Sequence, residues 1–408
     1  MTQGASVEGH VEPGFEPVAD EFARNFTKRG ELGAACAAYV GGEKVVDLWG
    51  GHSDRARRRR WREDTLVLVY STSKGMAAMA VALAHSRGLI DYDERVAAYW
   101  PEFAEAGKGQ ITIRQLLAHQ AGLCAVHGRL DPTVLADFDE LARILARQRP
   151  AWRPGTRHGY HALSLGFFES ELIRRVDPEH RTLGRFFADE IAAPLGLEFY
   201  FGVPEDVPDE RIAEIKAYRR GEVLLHLNVM PPAMVAGFTR PRSLTFRAFG
   251  NPRLRGPADL NLPEYRAVEL PAGAGVGQAR GVARAYGEFA VGGPSLGLVD
   301  DTLAALAAPA AEPSGGAKDL VLRIETAYSL GFLKPSRPFR FGTSDSAFGH
   351  TGAGGSFGYA DPDLELGFAY APNRLGFHLF DDPRDKPLRD ALYRCIGAGV
   401  RRPARGAA

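Results

Sequence analysis

The chain has 408 residues with 50 Lys plus Arg against 50 Asp plus Glu, so it carries no net field that would gather polyanions, and nucleic acid is not an expected partner. Its 45% apolar content is that of an ordinary globular protein, and no stretch reaches the ~18 uninterrupted apolar residues of a membrane helix. The first twenty residues are polar and acidic with no apolar run, which gives the expectation of a cytoplasmic protein.

Residues 1–13 read as a polar tail. Phe15, Val18, Phe22 and Phe26 recur at steps of three and four, predicting a helix over 15–29 that Gly30 closes. Residues 33–40 and 45–49 are β-rich runs joined by Gly41, Gly42, Glu43 and Lys44, a hairpin signal. The basic run Arg57 to Arg60 reads as a solvated loop rather than an anion patch. Residues 66–70 (LVLVY) read as a buried strand running into Ser71, and an Ala-rich helix follows over 74–87. Helical patterns recur at 113–119, 163–176 and 278–291. Residues 203–271 are rich in Pro, Arg and Gly with weak periodicity, and are expected to wrap the site as loops. Near the end, 354–360 and 364–371 flank Asp361, Pro362 and Asp363 as a second hairpin, 386–400 reads as a closing helix, and 401–408 as a tail.

Because sheet edges seek partners, the N- and C-terminal strands are expected to form one antiparallel sheet with the terminal helices packed on it. The fold class is then α+β, in a single domain over 14–400. Residues 14–70 and about 318–400 make an α/β lobe, and about 71–317 a mainly helical lobe with loops. Cys36, Cys124 and Cys395 are far apart and odd in number, so they suggest neither disulfides nor a zinc site.

The chemistry concentrates at Ser71-Thr72-Ser73-Lys74. A serine at a strand-to-helix junction lies among unpaired backbone N–H groups that favour a developing anion, and Lys74, three residues on, shares its helical face. A serine hydroxyl is a poor nucleophile until its proton is removed, and a desolvated lysine can have its pKa lowered from about 10.4 far enough to help. Ser-x-x-Lys alone is common by chance, as an N-cap serine followed by a solvated lysine. The surrounding segments supply context: LIDYDERVAAYWPEF, then ITIRQLLAHQAGL, GYHALSLGFFESELIRRV and GHTGAGGSFGYADP.

In that order and at those intervals the chain resembles the serine β-lactamase and penicillin-binding protein superfamily, most closely its class C-like esterase branch, over about residues 14–399. Ser71 to Lys74 resembles the first motif of that family, Tyr160-His161-Ala162 the second (Tyr-x-Asn) and His350-Thr351-Gly352 the third (Lys-Thr-Gly). The resemblance implies that Tyr160 lies within hydrogen-bond reach of Ser71 and Lys74, and that the backbone N–H groups of Ser71 and Ala353 form an oxyanion hole. It also implies that Ala162, His350, Thr351 and Gly352 line the substrate cleft. Two departures matter: Ala162 replaces an amide that holds β-lactams and peptides, and His350, mostly neutral at pH 7, replaces a cationic lysine. Both disfavour β-lactams and favour simple esters. The resulting expectation is a serine hydrolase, a carboxylesterase acting on small esters through a Ser71 acyl-enzyme, without metal or organic cofactor. The alternatives are an acyltransferase using a small-metabolite alcohol or amine, a D-peptidase or β-lactamase, and a catalytically silent binding protein. The sequence carries no signal of oligomeric state.

Three decoys compete. Gly354-Gly355-Ser356-Phe357-Gly358 fits the Gly-x-Ser-x-Gly elbow, with His378 as a possible base, but the residues after it read as turn and strand where that elbow requires a helix. His158 and His161 lack a third metal ligand at useful spacing, and His119 is expected to be structural. Gly273, Gly275 and Gly277 are expected to form a turn and cap for the helix from Gln278.

Overall fold

The computed structural model of the chain describes residues 6–218, 222, 226 and 229–397. In chain order, β1 (Val7–Val11) precedes helix α1 (Glu16–Lys28), and β2 (Gly33–Val40) and β3 (Glu43–Gly51) form the first hairpin. Three two-residue strands follow far apart in sequence: β4 (Val67–Leu68), β5 (Phe199–Tyr200) and β6 (Val276–Gly277). The C-terminal strands are β7 (Ala327–Ser329), β8 (Phe332–Lys334), β9 (Phe348–Thr351), β10 (Phe357–Asp361) and β11 (Leu366–Pro372). The four further helices used below are α2 (Ser73–Ser86), α3 (Ser164–Val176), α4 (Ala279–Ala290) and α5 (Lys386–Gly397).

The main sheet has eight antiparallel strands in the order β1-β3-β2-β11-β10-β9-β8-β7. The two ends of the chain meet where β2 pairs with β11, Ala34 opposite Pro372 and Val40 opposite Leu366. Both faces are covered. Ala34, Cys36, Ala38 and Val40 join Val18, Phe22, Leu388 and Leu392 of α1 and α5, whereas Ala37 and Tyr39 join Val282, Ala283 and Tyr286 of α4. This is the α+β arrangement expected from the terminal hairpins, with one revision. Helix α4, expected in the helical lobe, packs on the sheet, where a Cβ added at Gly367 would lie 2.1 Å from the Gly287 nitrogen. Small residues in both elements permit that approach.

The Ala-rich composition of α2 has a similar cause. Every residue from Ser73 to Ala84 is buried, so the helix runs through the middle of the molecule and is apolar all round. It packs against α3 on one flank and starts beside β9. The apolar run LVLVY is buried throughout but only Val67 and Leu68 are paired as strand, because the next residues already turn into the helix. The second hairpin is shorter than its sequence pattern: 352–355 form a turn, and β10 begins at Phe357. The segment over 203–271 contains short helices such as Pro232–Phe238 and Leu244–Phe249 among loops. The closing helix ends by Gly397, and residues 398–400 lie outside the described residues. No helix among the described residues is long and apolar enough to cross a membrane.

Candidate active site

The approach to Ser71 is a sharp bend. Val69 donates to the Gly275 carbonyl at 3.0 Å, and Tyr70 then adopts φ 50°, a conformation that side chains other than glycine rarely take and that costs about 1–3 kcal/mol. Burial of the Tyr70 ring and a 3.1 Å bond from its hydroxyl to the Pro257 carbonyl hold it there. A 3-10 turn over Tyr70–Thr72 leads directly into α2, so Ser71 stands at the N-terminal end of a nearly continuous helix. Ser73 secures the bend, accepting from the Gly275 N–H at 2.9 Å and donating to the Tyr70 carbonyl.

Lys74 is completely buried, and its amine has three partners: Ser71 Oγ at 3.2 Å, the Ala162 carbonyl at 2.5 Å and the Ala272 carbonyl at 2.7 Å. Burial pulls its pKa down to about 7, with the Glu169 carboxyl opposing the shift. Near neutral pH the unprotonated amine is therefore well populated. Two carbonyls can keep its two hydrogens, which turns the lone pair toward the Ser71 hydroxyl.

Tyr160 comes from a distant loop. Its phenol faces the Ser71 hydroxyl, and the Lys74 amine lies 4.6 Å from the centre of its ring. Burial raises the phenol pKa, so it keeps its proton at neutral pH. Behind it, buried Asp319 accepts from the N–H groups of Val321 and Leu322 at 2.7 Å each and from the Tyr328 hydroxyl at 2.9 Å. The adjoining histidines are braces. His161 Nε2 accepts from Leu123 N–H at 3.0 Å while its Nδ1 faces the Gly159 carbonyl at 2.8 Å, and His119 Nδ1 accepts from His161 N–H at 3.0 Å. Among the described residues no group of three or more His, Cys, Asp or Glu side chains could hold a metal ion.

The third motif forms the opposite wall. His350 is buried at the end of β9, its Nδ1 2.7 Å from the Thr351 carbonyl and its ring stacked on Tyr160 at 5.8 Å between centres. Burial and the nearby Lys74 push its pKa down to about 3, so it is neutral. Thr351 is half-buried, whereas Gly352 is wedged between walls: an added Cβ would lie 2.3 Å from the Val69 carbonyl and 2.1 Å from Ser356 Oγ. Gly355 N–H then bonds the Gly352 carbonyl at 3.2 Å, and Gly354 has φ 88°, the geometry of a type II turn with Ala353 exposed at its tip.

Ser71, Lys74, Tyr160 and His350 are thus brought into one cleft, and of the first three only Ser71 is more than marginally accessible. Two sequence expectations change. Ala162 contributes its backbone carbonyl, bonded to Lys74, while its side chain is buried. The glycines at 275 and 277 belong to the bend rather than to a helix cap: β6 is the central strand of the small sheet, and Cβ atoms on them would lie 2.5 Å from the Phe199 ring. At Gly352 the backbone is packed so closely that any side chain would meet the Val69 carbonyl and Ser356. Sequence reasoning missed Ala272, Asp319 and Glu169. A backbone carbonyl leaves no residue signature, although Glu169 beside the apolar Phe167 and Phe168 of α3 was visible.

The family model described as Beta-lactamase matches residues 19–393. The chain is 33% identical over 381 residues to "Esterase/beta-lactamase LipL" of Mycobacterium tuberculosis (strain ATCC 25618 / H37Rv), covering 91% of this chain and 84% of the relative. Among solved structures it is similar to a family VIII carboxylesterase, with 39% identity, a TM-score of 0.84, and 96% of this chain and 100% of that one covered. It is also similar to a penicillin-binding protein homolog from Caulobacter crescentus, with 34% identity, a TM-score of 0.81 and the same coverage. With the fold matched along nearly its whole length, the chain belongs to the beta-lactamase family.

Proposed function

We propose that the chain is a serine carboxylesterase that cleaves small esters through an acyl-enzyme on Ser71. The observation that carries this reading is the Lys74 amine, fully buried, pinned by two carbonyls and 3.2 Å from Ser71 Oγ. Ser71 Oγ attacks the ester carbonyl as its proton passes to the unprotonated Lys74 amine. The tetrahedral oxyanion is held by the backbone N–H groups of Ser71 and Ala353. Tyr160, protonated and facing Ser71, gives its proton to the departing alkoxide and recovers one from Lys74, so the alcohol leaves neutral and the acyl group stays on Ser71. Water repeats the sequence in reverse and releases the acid. The relatives named above support ester substrates, as does the neutral His350, which offers no charge to a substrate carboxylate. Three buried, unpaired cysteines suit a reducing compartment, and we place the enzyme in the cytoplasm.

Intact-mass measurement after brief exposure to a short aryl ester tests the proposal. An acyl adduct is expected on the native chain and none on Ser71→Ala; an adduct on Ser71→Ala that disappears with Ser356→Ala would move the nucleophile to the elbow-like motif.

A further inference from the structure

We infer that Arg384 is a positioning residue for the oxyanion site: its buried guanidinium holds the Gly352–Gly355 turn in the conformation that presents the Ala353 N–H to the reacting carbonyl. This rests on the acyl-enzyme reading above and adds a residue from the far end of the chain.

The turn is open to alternatives. Gly354 and Gly355 both have positive φ, 88° and 108°, and consecutive glycines have more backbone conformations available than any other pair. On its outer side the turn is fastened. The Gly354 carbonyl accepts from Arg384 Nη2 at 2.6 Å and from Gly376 N–H at 2.9 Å.

The guanidinium cannot shift. Its Nε and Nη2 grip Asp382 at 2.9 Å each, and Nη1 donates to Glu31 Oε2 at 3.0 Å and to the Arg374 carbonyl at 2.7 Å, so each N–H has an acceptor. The Arg384 side chain is 3% exposed and Glu31 0%. Glu31 is fixed in turn by the Tyr370 hydroxyl of β11 and by the Leu32 N–H at 2.9 Å, which anchors the clamp to the centre of the main sheet. The backbone around it has been kept bare. A Cβ at Gly355 would lie 2.6 Å from Asp382 Oδ2, and one at Gly376 2.5 Å from Arg384 Nη2.

A buried ion pair is a poor source of stability compared with apolar packing of the same volume, so stability alone does not account for this arrangement. Four of the five bonds orient the guanidinium on its own supports, and the remaining one is delivered to the oxyanion turn. Lysine cannot replace it, since a single ammonium lacks the planar fork that spans both carboxylates and the carbonyl.

The test measures aryl-ester hydrolysis, melting temperature and inhibition by an arylboronic acid, which forms a tetrahedral adduct on a serine hydroxyl. Arg384→Lys and Asp382→Asn are compared with Arg389→Lys, which weakens another buried ion pair, to Asp385, and whose hydrogen bonds go to Asp385 and Asp381 rather than to the turn. For Arg384→Lys and Asp382→Asn, kcat is expected to fall about 10- to 100-fold with KM within about threefold, and boronate affinity to fall in parallel. Arg389→Lys is expected to lower the melting temperature with kcat unchanged. Should Arg384→Lys fail to fold, Asp382→Asn decides. The inference is overturned if kcat of the folded clamp variants stays within about threefold of native, or if Arg389→Lys loses kcat to the same extent. Ser71→Ala, measured alongside, separates the two levels: activity retained there defeats the acyl-enzyme reading, whereas an inactive Ser71→Ala with fully active clamp variants defeats the clamp alone.

Discussion

The hydroxyl of Ser356 donates to the Val69 carbonyl at 2.7 Å and meets Thr72 Oγ1 at 3.0 Å, tying the turn of the third motif to the bend that carries Ser71. The serine of the elbow-like motif is therefore a strap between the two walls of the cleft, followed by β10 rather than by a helix. Ser356→Ala is expected to keep covalent labelling by a serine-directed phosphonate at Ser71 and to lower stability by about 1 kcal/mol, as for one buried hydrogen bond. Peptide mapping of the labelled chain and urea unfolding measure the two effects, and a label missing from Ser71 in this variant would contradict the assignment.

Gly352 is the tightest point of the same junction, because the Val69 carbonyl and Ser356 Oγ occupy the space a side chain would need. Gly352→Ala must push β9 away from Ser71. The expected result is a loss of about 1–3 kcal/mol from overpacking and a fall in kcat of about 100-fold from displaced donors. A variant with native kcat would show that the wall can retreat without consequence.

These contacts mark where sequence reasoning reaches its limit. Ser71 and Lys74 were legible because one helical turn alone brings them together, and the terminal hairpins foretold the sheet because their apolar alternation needs partners. Tyr160 was reachable only by resemblance, since nothing local links it to a residue 89 positions earlier. Ala272 holds Lys74 through a carbonyl that every residue possesses, and Arg384 acts across 30 residues on another. The run LVLVY looked like a full strand because burial and strand pairing favour the same side chains, yet here most of it is buried by packing. Helix α4 was assigned to the wrong lobe because its apolar face does not reveal what will cover it.

In the proposed mechanism the state of Lys74 sets the acid limb of activity. Its pKa of about 7 means that below this pH it is an ammonium that cannot accept the Ser71 proton, so kcat/KM should rise through pH 6–8 and level off above. Stability follows in the same sense. An unfolded lysine titrates near 10.4, so between about 7 and 10 the unfolded chain binds more protons than the native one, and folding becomes more favourable as pH rises. Lys74→Met should abolish turnover and flatten that part of the stability profile. A kinetic midpoint near 10 would mean that the amine is not desolvated.

Glu169 presents the opposite case. Both carboxyl oxygens are buried without a hydrogen-bond partner among the described residues, and burial pushes the pKa up to about 8 against the pull of Lys74. An unfolded glutamate titrates near 4.3, so the side chain's contribution to stability is fully present below about pH 4 and is lost as pH rises from there through 8. Glu169→Gln should match the native chain at pH 4 and be clearly more stable than it at pH 8, read by urea unfolding at both pH values. Equal stability at both would place a partner on the carboxyl.

His350 decides how the cleft treats charged substrates. Histidine in water would gain a proton below about pH 6.5 and begin to attract a carboxylate. Here the ring is buried against Tyr160, donates through Nδ1 to the Thr351 carbonyl and lies near Lys74, and its pKa falls to about 3. It therefore stays neutral across the range in which the enzyme is active. The ratio of kcat/KM for an ester bearing an acyl-side carboxylate to that for its neutral isostere should be small and constant between pH 5 and 8. Taking a ratio cancels the Lys74 limb, which both substrates share. A ratio that climbs as pH falls through 6.5 would show His350 taking up a proton and acting as the cation that the Lys-Thr-Gly motif supplies elsewhere in the family.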